Sequence, residues 1–80
     1  MANEEAQARQ EIIERVRHKH KRRDWLILNV SNKLGVNGDF VDGILHQLVT
    51  EGVVRFEEYN GVEMVSIGNK SKDLGSFGHG

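Results

Sequence analysis

The chain has no cysteine and no proline among its 80 residues. Without cysteine there is no disulfide staple and no thiolate metal site, so the fold must rest on packing alone. Without proline, its turns depend on glycine and asparagine, which fits a small helical unit. Aromatic residues are also few, with one tryptophan, one tyrosine and three phenylalanines. No apolar run approaches the roughly 20 residues that span a bilayer, and the polar start Met1-Ala2-Asn3-Glu4-Glu5 does not read as a signal peptide. The expectation is therefore one small domain in a cytoplasmic protein. No nucleophile motif, paired-carboxylate pattern, metal-ligand spacing or phosphate-cradling glycine loop is present, so no enzyme, metal, cofactor or small-molecule substrate is expected. At this length only about 60% of the surface exposed by the unfolded chain is buried, and stability should be modest.

What the chain does have is segregated charge. The net charge is only −1, but residues 15–23 hold Arg15, Arg17, Lys19, Lys21, Arg22 and Arg23, a local sum of +6. Residues 1–14 sum to −3 and residues 24–80 to −4. A basic run on an otherwise acidic chain suggests a localised anion-binding patch. The plainer reading is a solvated helix end whose bases suit the helix dipole. Six bases in nine residues exceed what capping requires.

The pattern along the chain predicts three helices and a hairpin. Residues 4–20 carry good helix formers, with apolar positions at Ala8, Ile12, Ile13 and Val16. Asp24-Trp25-Leu26-Ile27-Leu28 is ambiguous: Asp24 suits a helix cap, whereas Trp25, Ile27 and the unbroken apolar run suit a short extended piece. A helix over 27–34 follows, with Val30 and Leu34 inward, and Gly35 takes the left-handed stop position. Asn37 caps a third helix over 38–50, which buries Phe40 or Val41 with Ile44, Leu45 and Leu48 and ends at Gly52. Gly43 inside it marks either a close approach or a tolerated glycine. Asn60-Gly61 joins two strands within 53–67 by a type I′ turn, pairing Tyr59 with Val62, Phe56 with Val65 and Val54 with Ile67. Val54, Phe56, Val65 and Ile67 then share the inner face, while Val53, Arg55, Glu57, Tyr59, Val62, Met64 and Ser66 share the outer. Residues 68–80 read as a flexible tail, leaving 1–67 as the domain.

The run Asn29-Val30-Ser31-Asn32-Lys33-Leu34-Gly35-Val36-Asn37, followed by Val41, Leu45, Leu48 and Glu51-Gly52-Val53-Val54, resembles the winged helix-turn-helix superfamily of DNA-binding proteins. The resemblance covers roughly residues 10–67. It implies an α+β, mainly α fold of three helices plus a C-terminal β-hairpin wing. Residues 38–50 would then be the recognition helix and Tyr59-Asn60-Gly61-Val62 the wing tip. The implied function is a small transcriptional regulator on duplex DNA, nucleoid-associated, with a homodimer or a protein partner left open.

The expected phosphate contacts are Arg15, Arg17, Lys19, Lys21, Arg22, Arg23 and Lys33. Asn37, His46 and Gln47 are candidate base contacts, because glutamine and asparagine pair bidentately with adenine; ordinary surface polarity and capping by Asn37 are the alternative. Arg55, Tyr59, Asn60 and Gly61 form the wing. Helix 38–50 nevertheless exposes Asp39, Asp42, Gly43, His46, Gln47, Thr50 and Glu51, with no lysine or arginine. Glu57, Glu58 and Glu63 make the wing acidic too. Carboxylates at these places repel phosphate, so a module that binds protein through helix 38–50 and the hairpin is the rival. RNA or ribosome association through the basic run is a third reading. His18 and His20 do not share a helix face, so no metal site is expected there. Trp25 is expected in the core under the hairpin; as a stacking platform for single strands it would have to be exposed.

Overall fold

Ala8, Ile12 and Val16 recur every fourth residue and are all buried, so the first helix lays one narrow stripe on the core. In the computed structural model, which describes residues 4–68, this helix is α1, Glu4–Arg17. A two-residue strand β1, Lys21–Arg22, follows, and then α2, Arg23–Leu34, and α3, Gly38–Thr50. Strands β2, Val54–Tyr59, and β3, Val62–Ile67, complete an α+β, mainly helical architecture. Of the tail expected over 68–80, Gly68 is instead buried, its N–H donating to the Val53 carbonyl at 2.8 Å, and residues 69–80 lie outside the described residues. No described helix is long and apolar enough to cross a membrane.

Two boundaries differ from the sequence reading. The first helix ends at Arg17 rather than near residue 20, and the second begins at Arg23 rather than Ile27. The extended piece expected at Trp25–Leu28 lies instead at Lys21–Arg22, which pairs antiparallel with β3, Lys21 opposite Val65 and Arg22 opposite Met64. The free edge of β3 supplies the ladder partners that hold this stretch extended, a tertiary effect that outweighs the helix propensity of lysine and arginine. Residues 23–28 then turn helical because Leu26 and Val30, four apart, are both fully buried. Asp24 sits inside the first turn, where its carboxylate accepts from the Trp25 N–H at 2.6 Å. The capping position belongs to Arg22, whose side chain makes no capping bond. Trp25 is not in the core under the hairpin: it lies off the buried stripe and is 40% exposed.

The turn between α2 and α3 follows its local chemistry. Gly35 takes φ +67°, and the Val36 N–H donates to the Ser31 carbonyl at 3.0 Å, closing the helix end. Asn37 caps α3, its side-chain oxygen accepting from the Asp39 N–H at 2.7 Å. Val41, Ile44, Leu45 and Leu48 are buried, while Phe40 is half-buried at the rim. At the far end Gly52 adopts φ +81°, with the Val53 N–H donating to Leu48 and the Gly52 N–H to Val49.

The hairpin register is as expected at each pair, from Val54–Ile67 to Tyr59–Val62, with Asn60 and Gly61 both at positive φ as a type I′ turn needs. The sheet order is β1-β3-β2. Its inner face carries buried Val54 and Val65, which close over the three helices.

Candidate nucleic-acid interface

The turn at Gly35–Asn37 and the stripe Val41 to Leu48 leave one side of α3 facing out. There Gly43, His46, Gln47, Thr50 and Glu51 line a shallow groove of about 320 Å3. Outside its own turn of α3, no described atom lies within 4 Å of where a Cβ on Gly43 would stand, so the glycine does not serve a close approach by another element. It leaves the floor of the groove low.

Two of the carboxylates that made this face acidic are paired. Arg9 forks onto Glu51, Nη1 to Oε2 at 3.1 Å and Nη2 to Oε1 at 2.6 Å, tying α1 to the end of α3. The hydrogen bond that Arg9 donates to Glu51 is the main influence raising the Arg9 pKa. Arg23 donates to Asp42 through Nε and Nη2 and to Glu63 through Nη1, while its guanidinium lies 4.7 Å from the centre of the Phe56 ring. Bonds to Asp42 first and Glu63 second raise its pKa. His46 stands beside this group, Nε2 3.3 Å from the Arg23 Nη2 and its ring edge-on to Phe56 at 5.5 Å. A paired carboxylate presents a dipole in place of a net charge, so much of the apparent repulsion is cancelled inside the chain. Asp39 and Glu58 have no cationic partner among the described residues.

The basic run is only partly free. Arg15 pairs with Glu11 at 3.3 Å, Arg17 with Glu14 at 3.7 Å and Arg22 with Asp24 at 3.0 Å. Lys33 reaches Glu11 at 2.9 Å, bridging α2 to α1, and this bond is the main reason the Glu11 pKa is lowered. Lys19 and Lys21 have no carboxylate partner among the described residues; Lys21 stands over the Trp25 ring, with Nζ 5.5 Å from its centre.

The fold brings several of the expected contacts to one side. Arg22, Arg23 and Asp24 at the start of α2 line a groove of about 260 Å3 with Gly61, Val62 and Glu63 of the wing tip. Through Arg23 and Asp42 this side joins His46. Lys33 belongs with α1, apart from this groove, and the Asn37 side-chain oxygen is occupied by its capping bond.

On the outer face of the hairpin, Glu57 accepts from Tyr59, Arg55 and Ser66, which together hold its carboxyl at about 2, with Tyr59 first among them. The same bond raises the Tyr59 pKa. Arg55 also donates to the Ile67 carbonyl at 3.2 Å. His20 packs on Tyr59, ring centres 5.4 Å apart. Among the described residues no group of three or more histidines, aspartates and glutamates could hold a metal ion.

No family model, curated protein or solved structure matches this chain.

Sequence reasoning missed the exposed pair Trp25 and Leu28, the latter 59% exposed. The available signal was the spacing Leu26, Val30 and Leu34, which fixes the buried side of α2 and places residues 25 and 28 off it. It also missed Arg23 as a clamp between three elements, which no local pattern signals.

Proposed function

We propose that this chain is a winged-helix protein that binds duplex DNA, with α3 in the major groove and the basic α1–β1–α2 segment on flanking phosphates. The observation that carries this reading is the outward side of α3. It is open along Gly43, His46, Gln47 and Thr50, and Arg23 and Arg9 neutralise its Asp42 and Glu51. The element order α1-β1-α2-α3-β2-β3 and the sheet order β1-β3-β2 are compatible with a winged helix. In that arrangement the hairpin tip stands beside the start of α2, as the wing-side groove has it.

Gln47 and His46 are the base-reading candidates and Lys19 and Lys21 the phosphate contacts. Fluorescence anisotropy with a labelled mixed-sequence duplex at 50 mM salt tests this. Binding should occur, should weaken with salt, and should weaken further in Gln47→Ala. Absence of binding at that salt concentration ends the proposal.

A protein-binding role has one observation in its favour: Asp39 and Glu58, without a cationic partner among the described residues, together with exposed Tyr59 and Val62. That role predicts that Asp39→Lys with Glu58→Lys abolishes capture of a partner. Under the DNA reading the same reversals strengthen duplex binding.

A further inference from the structure

Leu26 and Val30 turn inward, which leaves Trp25 and Leu28 on the outward side of α2, 40% and 59% exposed. With Arg22 and Asp24 they line a shallow groove of about 300 Å3. Two cations flank the ring, Lys21 Nζ at 5.5 Å and the Arg15 guanidinium at 5.9 Å from its centre. Neither Lys21 nor the neighbouring Lys19 has a carboxylate partner among the described residues. Arg15 Nε is buried with no hydrogen-bond partner, although its Nη2 reaches Glu11 at 3.3 Å. The groove's carboxylate, Asp24, is paired with Arg22. An apolar floor with an aromatic ring and a cationic rim is thus displayed to solvent.

We propose that this groove binds single-stranded nucleic acid, with one unpaired base stacked on Trp25 and the adjoining phosphates on Lys19 and Lys21. A base supplies a π face for the ring, and the strand's phosphates supply the counter-charge that the two lysines lack among the described residues; an apolar peptide supplies neither. A second copy of the chain fits poorly. A two-fold contact through this patch would bring the cationic rim of one copy, with its Lys21 free of carboxylates among the described residues, against the same rim of the other. The groove shares Arg22 and Asp24 with the groove at the wing tip, so the two adjoin at the start of α2. The inference shares the basic segment with the duplex reading, but uses neither α3 nor His46 and Gln47.

Trp25 is the chain's single tryptophan, so its emission reports the contact directly. The probe is a 12-nucleotide oligothymidine at 50 mM salt, with unlabelled strand for emission and end-labelled strand for anisotropy. Oligothymidine should quench Trp25. Trp25→Leu, which keeps an apolar body, should weaken binding about tenfold or more, given what one stacked base contributes. Trp25→Phe, which keeps a ring, should weaken it only a few-fold, and Lys21→Ala should weaken it too. Circular dichroism confirms that each variant folds. Binding without quenching, equal affinity of Trp25→Leu and the natural chain, or no binding overturns the proposal. So does an emission change that follows protein concentration alone, which would signal self-association. Duplex binding that requires Gln47, with no oligothymidine binding, sinks this inference and leaves the duplex reading standing. The reverse result supports this inference and sinks the duplex reading.

Discussion

Replacing Arg23 by alanine removes a side chain whose polar contacts join the start of α2 to both α3 and β3. The size of the effect follows from three contacts. The bond to Asp42 is forked and half-buried, with the two side chains 24% and 34% exposed. It should contribute about 1–2 kcal/mol, the lower part of the range for charge-assisted bonds. Glu63 is 47% exposed, so water screens that pair and it adds no more than about 0.5 kcal/mol. The guanidinium on the Phe56 ring contributes about 0.5 kcal/mol. Together Arg23→Ala should cost about 2 kcal/mol, which in a domain of this size lowers Tm by roughly 10 °C. Arg23→Lys keeps the charge without the planar fork and should recover less than half of the loss. Urea unfolding followed by circular dichroism measures both, and a double-mutant cycle with Asp42→Ala isolates the main pair. A loss below about 0.5 kcal/mol for Arg23→Ala would show that Arg23 forms an ordinary surface pair and does not clamp the three elements. The clamp also bears on the partner, because freeing Asp42 and Glu63 adds two uncompensated carboxylates beside the α3 groove. Duplex binding by Arg23→Ala should therefore fall by more than the loss of a single phosphate contact explains.

Three further outcomes follow from the fold. Asn37→Ala removes the α3 cap and should lower unfolding stability by about 1 kcal/mol in the same assay. Gly68→Ala would place a Cβ 2.5 Å from the Gly52 carbonyl oxygen, so the β3 end must shift; amide-shift mapping should show changes centred on Gly52 and Val53. The Glu57 carboxyl is depressed from 4.5 to about 2, so its stabilising contribution is present above pH 4.5 and lost as pH falls toward 2. Unfolding between pH 6 and pH 2.5 should accordingly be less pH-dependent in Glu57→Gln than in the natural chain, and an equal dependence would contradict the network.

The parts of the fold that were legible are those whose cause is local. Asn37, Gly52 and Asn60-Gly61 act within a few residues of themselves, so the bounds of α3 and the hairpin register followed from the sequence. The stretch from Arg17 to Leu28 was not legible, because its cause is distant. Lys21 and Arg22 are extended only because Val65 and Met64 offer a free edge. The charge pairs are equally remote. Arg9 lies 42 residues from Glu51, and Arg23 lies 19 from Asp42, so a count of charges along α3 overstated the acidity of its surface. Trp25 was misplaced for a related reason: residue type favoured burial, but the α2 stripe that packs on the core passes through Leu26 and Val30.

The same pairs set how steeply DNA binding should depend on salt. If all six bases of residues 15–23 met phosphates, the slope of log affinity against log salt would be about −5.4, or roughly a 2,000-fold loss between 50 and 200 mM. Arg15 and Arg23 are held by their carboxylates with only 24% of each side chain exposed. Arg17 and Arg22 sit in pairs more than half exposed, which exchange partners at little cost. Lys19 and Lys21 are free of carboxylates among the described residues. Between two and four phosphate contacts remain, a slope of about −1.8 to −3.6 and a loss of roughly 12-fold to 150-fold over the same interval. Lys19→Ala and Lys21→Ala should each flatten the slope by about 1, whereas Arg15→Ala should leave it nearly unchanged. A slope of −5 or steeper would mean that the intramolecular pairs dissolve on binding, and the balance of charge on which the α3 reading depends would fail with them.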